Sequence, residues 1–281
     1  MKKEYSFNAF MPNEMAEKAQ DIGVAKSKMK FSKLFVLALL AGAFIGLGAI
    51  FATTVTTSSN LYWGMTKLLS GLAFSLGLIL VIVGGAELFT GNNLIVMAWA
   101  SKKVSLRAVF RNWGIVYFGN MVGAFSLAII MFYSLQYTFN NGAVGLNALN
   151  IATAKCQLNF IQAITLGVLC NILVCLAVWL CFSARSTIDK ILAIIFPITA
   201  FVAAGFEHSI ANMYFIFKAL LIKSFAPQTF WHAIGKVPND FADLDWTNFL
   251  LGNLLPVTIG NVIGGAVLVG FVYWFVYLKK K

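Results

Sequence analysis

Ionisable residues inside long apolar stretches are rare in this chain, and they are the first candidates for chemistry. Glu87, Glu207 and His208 all lie in such stretches. A charge near the middle of a bilayer costs about 2.5–3.5 kcal/mol on insertion scales, so such a group needs a partner and marks a functional site by default. We expect the two glutamates to accept hydrogen bonds from backbone N–H groups freed by a helix break. Direct contact with a permeating species is the alternative.

His208 is the one histidine in an apolar stretch, since His232 falls in a polar segment. Imidazole titrates near neutral pH, so His208 could hold a positive charge or give a proton to a passing anion. The alternative is a neutral buried ring whose hydrogen bonds are satisfied by Thr90 or Asn171. Lys155 could raise the anion concentration at a pore mouth, or it is an ordinary interfacial lysine.

The glutamates belong to two matching interruptions of apolar stretches. GGAELFTGNN at 84–93 and AAGFEHSIAN at 203–212 both carry small residues, then Glu, then four residues, then Asn. The glutamates are 120 positions apart, and the strings FGNMVG at 118–123 and IGNVIG at 259–264 echo each other farther along. Three spans per half would turn the second half upside down in the bilayer. The sequence therefore predicts an inverted repeat, whose paired interruptions are typical of a transport site; a chance pair of glycine kinks is the alternative.

A broken helix leaves backbone N–H and C=O groups unpaired, which a membrane tolerates only where they are buried in protein or line a cavity. Two half-helices whose N-termini face the midplane would bring two partial positive charges together, which favours an anion. We expect Glu87, Asn92, Glu207 and Asn212 to hold the two breaks.

Apolar side chains near the breaks could narrow the path. A hydrophobic constriction excludes hydrated ions, because stripping their water is costly, while a small neutral acid passes. The candidates are Phe74, Leu78, Leu88, Phe89 and Phe201. Ordinary packing is the alternative for each of them.

Composition identifies the elements that must position these residues. The 281-residue chain is 60% hydrophobic and 11% charged, with a mean hydropathy of +0.82. A soluble domain carries about 25% charged residues, and about 20 apolar residues cross a bilayer as a helix. We predict an all-α membrane protein without a cleaved signal peptide. Its six spans are 34–55, 68–101 (interrupted), 108–134, 160–183, 189–222 (interrupted) and 249–277.

These spans divide the chain into three parts. Residues 1–33 form an N-terminal segment with an interfacial helix, for which a solvated tail is the alternative. Residues 34–277 form the channel domain, and 278–281 a basic tail. Of the 21 Lys and Arg residues, 16 then lie on the side of the termini, so the positive-inside rule places both termini in the cytoplasm. The net charge of +11 is thereby explained by membrane topology, and lipid rather than nucleic acid is the expected partner.

The remaining reactive residues predict neither a metal site nor an enzyme. The four cysteines, Cys156, Cys170, Cys175 and Cys181, contain no CxxC pair and are expected to be buried structural thiols. No HExxH or GxSxG string is present, and a nucleophile–base pair is lacking. We expect no cofactor.

Three strings resemble the signature of the formate–nitrite transporter family: GAELFTG at 85–91, NILVCLAVW at 171–179 and GFEHSIANM at 205–213. The resemblance covers nearly the whole chain, from Met11 to Asn261. It implies an aquaporin-like fold of six transmembrane helices with broken helices 2 and 5. It also implies a homopentamer in the bacterial inner membrane, with one pore per subunit.

The resemblance also implies roles for individual residues. His208 corresponds to the pore histidine, Thr90 to the loop threonine, Asn171 to an asparagine near that histidine, and Lys155 to a vestibule lysine. The constricting apolar positions correspond to Phe74, Leu78, Leu88, Phe89 and Phe201.

Within the family, SLGLIL at 75–80, FSARS at 182–186 and FAPQTFW at 225–231 are most similar to the formate channels. The implied substrate is formate or its conjugate acid, with transport linked to a proton through the pore histidine. Gly91-Asn92 departs from that branch, which carries small hydroxyl residues after the threonine, whereas the nitrite branch has glycine there. Nitrite and hydrosulfide are therefore the alternative substrates.

Overall fold

The computed structural model describes residues 9–279, and every regular element in that part of the chain is a helix. The first eight residues of the predicted N-terminal segment, and Lys280 and Lys281 of the predicted basic tail, lie outside the described residues. In chain order the helices are α1 (Pro12–Ser27), α2 (Phe31–Thr56), α3 (Trp63–Gly84), α4 (Phe89–Asn92), α5 (Val96–Ala100), α6 (Leu106–Tyr133), α7 (Ala143–Cys156), α8 (Phe160–Ser183), α9 (Thr187–Ala203), α10 (Ser209–Phe225), α11 (Gln228–Ile234) and α12 (Asn248–Tyr277).

Five of these helices, α2, α3, α6, α8 and α12, are long and apolar enough to cross a membrane. Helices α10 and α11 form a pair bent by 110° that would count as a sixth span. The predicted span 68–101 covers most of α3 and all of α4 and α5, and the predicted span 189–222 covers most of α9 and α10. Helices α7 and α11 lie in segments for which no helix was predicted.

Two helices stop and restart at the predicted interruptions. Helix α3 ends at Gly84 and α4 begins at Phe89, while α9 ends at Ala203 and α10 begins at Ser209. The glycines that follow the first half-helices, Gly85 and Gly205, have φ of +79° and +74°. This left-handed conformation suits glycine and ends a helix.

Close helix crossings bring the third and last long helices to the breaks. A Cβ atom on Gly123 of α6 would overlap the carbonyl oxygen of Leu39 on α2. Likewise, a Cβ atom on Gly264 of α12 would overlap the carbonyl oxygen of Val168 on α8. Small residues permit such crossings inside membranes. Each crossing brings α6 or α12 against the chain where one span is interrupted.

Candidate functional site

An asparagine from α6 satisfies the backbone of the first break. The Asn120 amide donates hydrogen bonds to the carbonyl oxygens of Ala38 (2.7 Å) and Glu87 (2.9 Å). Its side-chain oxygen accepts from the Phe89 N–H at 2.9 Å. Because Asn120 is fully buried, these bonds replace water that the site does not offer.

Asn261 of α12 makes the same set of bonds at the second break. It donates to the carbonyl oxygens of Gly167 (2.8 Å) and Glu207 (2.9 Å), and it accepts from the Ser209 N–H at 2.9 Å. The strings that echo each other at 118–123 and 259–264 thus contain the residues that hold the two breaks. This role was not predicted from the sequence.

The two glutamate carboxylates contact side chains, so the expectation that they accept from freed backbone N–H groups is wrong for the described residues. Glu87 accepts from Asn92 at 2.8 Å and forms an ion pair with Lys26 of α1 at 3.1 Å. The Asn92 amide also donates to Asn112 at 2.9 Å. The reason is that N–H groups of this break already have acceptors: Ala86 and Glu87 donate to the carbonyl oxygens of Val81 and Leu37, and Phe89 donates to Asn120.

Glu207 has an equivalent environment. It accepts from Asn212 at 2.6 Å and forms an ion pair with Lys155 of α7 at 2.8 Å. Asn253 accepts from Asn212 at 2.7 Å and donates to the carbonyl oxygen of Lys155 at 2.9 Å. Lys26 is therefore the counterpart of Lys155. Sequence reasoning singled out Lys155 but missed Lys26. The available signal was its position near the end of a helix preceding a long apolar stretch.

His208 is 3% exposed and bonded at both ring nitrogens. Its Nδ1 accepts from the Ala211 N–H at 3.1 Å, which caps α10. A neutral imidazole that accepts at Nδ1 carries its proton on Nε2. The Nε2–H therefore donates to the Thr90 hydroxyl oxygen, 2.9 Å away. This leaves the hydroxyl proton of Thr90 available to a third group.

Asn171 lies beside Thr90 and has no hydrogen bond to His208 among the described residues. Its amide donates to the carbonyl oxygen of Asn261 (2.6 Å), to the Asn93 side chain (2.9 Å) and to the carbonyl oxygen of Thr90 (3.3 Å). Asn171 positions the backbone of Thr90, and Thr90 in turn bonds to His208. Its effect on the histidine is therefore indirect.

Two cavities lie on either side of the hydrogen bond between His208 and Thr90. The α1 cavity, of about 270 Å³, is lined by residues that include Lys26, Glu87, Leu78, Leu88 and Gly91. The α7 cavity, of about 510 Å³, is lined by residues that include Lys155, Glu207, His208, Phe74 and Phe201. Thr90 lies in sequence between two residues of the α1 cavity wall. Its bond to His208 therefore links the walls of the two cavities.

The predicted constricting residues divide between the cavities, except for one. Phe74 and Phe201 meet edge to face at 5.8 Å between ring centroids, and Phe201 stacks on His208 at 6.0 Å. Phe89 instead packs against Trp113 and Tyr117 of α6 and lines neither cavity.

The arrangement offers hydrogen bonds and charge. All four cysteines are buried and free, and the described residues contain no group of three or more His, Cys, Asp or Glu that could hold a metal ion. A neutral polar pair lies between apolar walls, and one lysine–glutamate pair lies in each cavity. Such a path suits a small polar solute that must shed its water.

Comparison with known proteins identifies the family. The family described as "Formate/nitrite transporter" matches residues 13–275. The chain belongs to this family. Among its relatives, the "Formate channel FocA" of Escherichia coli (strain K12) is 46% identical over 282 residues, covering 100% of this chain and 99% of that protein. As a member of the formate/nitrite transporter family with several long apolar helices, the chain is a multi-pass membrane protein.

Two solved structures of the formate/nitrite transporter type are similar to this fold. A "Pentameric formate channel with formate bound" is 50% identical, with a TM-score of 0.85 over 89% of this chain and 98% of that chain. An "FNT family ion channel" is 26% identical, with a TM-score of 0.79 over 93% of this chain and 98% of that chain.

Proposed function

We propose that this protein is a channel that moves formate, as the anion or its conjugate acid, across a bacterial inner membrane. The observation that carries the proposal is the 2.9 Å hydrogen bond between His208 and Thr90, which links two cavities that each contain a lysine–glutamate pair. The 46% identical formate channel supports formate as substrate, and so does the solved channel with formate bound.

Six spans in an inverted repeat form the channel. The second span consists of α3, α4 and α5, and the fifth consists of α9 and α10. Helices α9 and α10 have 17 residues each, about 25 Å, so neither crosses a ~30 Å hydrocarbon core alone. Joining α10 to α11 is less suitable, because the chain bends by 110° between them.

Both termini lie in the cytoplasm, so the α1 cavity opens inward and the α7 cavity outward. Residues 34–277 form the channel domain, flanked by the segment 1–33 and the basic tail 278–281. The Lys26–Glu87 ion pair makes α1 part of the channel wall as well as an interfacial helix. Five copies assemble around a common axis, each with its own pore, and their outer apolar faces contact lipid.

The permeating anion passes the Lys155–Glu207 pair and then reaches the polar centre, where the positive ends of the half-helices lie. There Thr90 offers its hydroxyl proton, Asn171 holds the Thr90 backbone, and His208 supplies the charge or the proton. The apolar residues Phe74, Phe201, Leu78 and Leu88 exclude hydrated ions on either side. Phe89 shapes this path through its packing on α6. Glu87, Asn92, Glu207 and Asn212 keep the two broken helices in place.

Because His208 is buried, we expect it to take up a proton only when an anion is beside it. A positive charge on His208 requires a second ring proton at Nδ1, at the expense of the bond from the Ala211 N–H. An isolated charge in this dry centre is costly, whereas an ion pair is partly compensated. The proton therefore arrives with the anion, and the two move onward as a near-neutral unit.

Flux into proteoliposomes tests the proposed function. Formate, nitrite, hydrosulfide, acetate and chloride are compared at two pH values, with empty liposomes as the control. We expect formate to pass fastest and its flux to rise as the outside is acidified. Preference for nitrite or hydrosulfide would move the chain to another branch. Equal passage of all five would contradict a selective channel.

A further inference from the structure

One face of α3 lines the pathway along most of the helix. Lys67, Ser70 and Phe74 line the α7 cavity, and Leu78 and Val81 continue the same face into the α1 cavity. The spacing of three and four residues is that of one helical face. Lys67 precedes Phe74 by seven residues, which places it about 10 Å farther out along the helix axis. It lies at the mouth of the cavity.

The two lysines of the α7 cavity differ in their electrostatic partners. The ammonium group of Lys155 is 2.8 Å from the Glu207 carboxylate, so this pair carries no net charge. Lys67 has no carboxylate within 4.0 Å among the described residues. Its nearest aromatic partner is the ring of Trp63, at 5.8 Å. With His208 neutral, the net positive charge of the cavity wall comes from Lys67.

The α1 cavity has the same division of roles. Lys26 is paired with Glu87, whereas Lys190, on the first half of the other broken span, lines this cavity without a carboxylate within 4.0 Å in the described chain. The α1 cavity is lined by Lys18 as well, which donates to the carbonyl oxygen of Phe182 at 2.9 Å. Each cavity thus contains one neutralised lysine and one lysine on the helix that leads to the break. This repetition in the second half argues against an incidental position for Lys67.

We propose that Lys67 is the residue that captures small monovalent anions at the mouth of the α7 cavity, while Lys155 mainly holds Glu207 in place. This inference rests on the proposed function, because it deepens the account of the same pathway. A charge on the wall of a cleft raises the local concentration of counter-ions and the rate of association. Lys67 binds loosely, as conduction requires, because an anion held tightly at the mouth would not move on.

The test compares Lys67→Gln and Lys67→Arg with Lys236→Gln, which removes the same charge from a residue outside both cavities. Formate uptake into right-side-out membrane vesicles is measured over a range of concentrations, at about 0.01 M and about 0.15 M salt, where the Debye length is about 30 Å and 8 Å. At low salt we expect Lys67→Gln to raise the half-saturating concentration about threefold and leave the maximal rate unchanged. The difference should shrink at higher salt. Lys67→Arg and Lys236→Gln should behave as wild type.

Two results would overturn the inference. One is wild-type half-saturation for Lys67→Gln at low salt, in protein that runs as the wild-type oligomer on size exclusion. The other is an equal change in Lys236→Gln, which would indicate a general surface charge effect. Failure of the proposed function looks different, since wild type itself would then carry no saturable formate flux. The same variants are in that case compared with nitrite or hydrosulfide, so that capture by Lys67 is judged separately.

Discussion

The His208 ring caps helix α10 through Nδ1 and bonds Thr90 through Nε2. A substitution can keep the cap while it removes the group that could carry a proton. Asparagine accepts hydrogen bonds at a helix N-cap nearly as well as any residue, so His208→Asn should keep the cap to Ala211. It cannot take up a proton. We therefore expect a folded protein whose formate uptake no longer rises on acidification, measured in proteoliposomes over a pH series.

The contrary result is equally clear for this variant. If His208→Asn keeps the wild-type pH profile, the ring does not carry the proton and its role is to cap α10 and to bond Thr90. Thermal unfolding of the purified variant serves as the control, because a small change in melting temperature shows that the pore centre is intact.

The Thr90 hydroxyl accepts from His208 and keeps one proton to donate. Thr90→Val has nearly the same shape but leaves the buried Nε2–H without an acceptor, at a cost of about 1–3 kcal/mol. We expect a lower melting temperature and a flux reduced about tenfold, because the solute loses one hydrogen bond worth about 1.4 kcal/mol along the path. Thr90→Ser restores the hydroxyl and should recover most of the flux. Wild-type flux in Thr90→Val would contradict a role for the Thr90 hydroxyl in transport.

Sequence predicted several of the residues that meet in this site but not all of their contacts. The Glu–Asn spacing pointed to Glu87 with Asn92 and to Glu207 with Asn212, because five positions along one chain stay close however the domain packs. The partner Lys26 was missed, because it reaches Glu87 from a separate helix. Phe89 was predicted to constrict the path, but its side chain packs on α6 instead. The non-helical residues between α3 and α4 change the direction in which the side chain points, and helical periodicity does not extend across them.

At the scale of elements, the two breaks are held by equivalent asparagines, Asn120 and Asn261. Each makes three buried hydrogen bonds with the same types of group. Asn120→Leu and Asn261→Leu should therefore destabilise the protein by similar amounts, about 1–3 kcal/mol for each group left unsatisfied. Thermal unfolding in detergent measures this, with Leu251→Ala on an exposed apolar face as the control. Strongly unequal losses would contradict equivalent roles for the two halves.

Helix α1 carries a pH-dependent element. Burial, followed by the nearby charges of Lys190 and Arg185, lowers the pKa of Lys18 on α1 below its ordinary 10.5. Lys18 binds its proton more tightly when α1 is released from the rest of the protein than when α1 is packed against it. The packing of α1, here called docking, is therefore weakest below the lowered pKa. It strengthens as the pH rises from that value towards 10.5.

A spin label at the exposed Glu17→Cys position measures this docking, since the native cysteines are buried. We expect the label to become less mobile as the pH rises through this window. In the Lys18→Met background, mobility should stay low and independent of pH. A label whose mobility increased with pH in wild type, or changed equally in both backgrounds, would contradict this account.

Hydropathy predicted the long helices well and the short ones poorly. The predicted span 34–55 corresponds to Phe31–Thr56, and 249–277 to Asn248–Tyr277. Helix α7, at Ala143–Cys156, was predicted as a connecting segment. It is too short to cross a bilayer and its mean composition is mixed, so its structure depends on packing against α10 and α2 that a single sequence does not reveal.

At the scale of the whole molecule, the two halves repeat a set of contacts that is more extensive than the short sequence motifs they share. The pairs Lys26–Glu87 and Lys155–Glu207, and the two asparagine clamps, recur although the chain around them differs. In the proposed inverted arrangement, such a pair makes the pathway similar from both sides, which suits a channel that carries its substrate either way. Differences between the directions then arise from residues outside the repeat, such as Lys18, which lines the α1 cavity and not the α7 cavity.

In the proposed pore each chain supplies the whole pathway, since both cavities, both ion pairs and the His208–Thr90 bond are built from one subunit. We therefore expect the pores of a pentamer to work independently. When wild type is co-expressed with a blocked variant such as Leu78→Trp, total flux should fall in proportion to the fraction of variant subunits, as quantified by mass spectrometry of mixed oligomers. Homo-oligomers of the variant set the residual flux. A fall close to the fifth power of the wild-type fraction would mean that the substrate passes along a path shared by all five subunits, and the assignment of the pore to His208 would then be wrong.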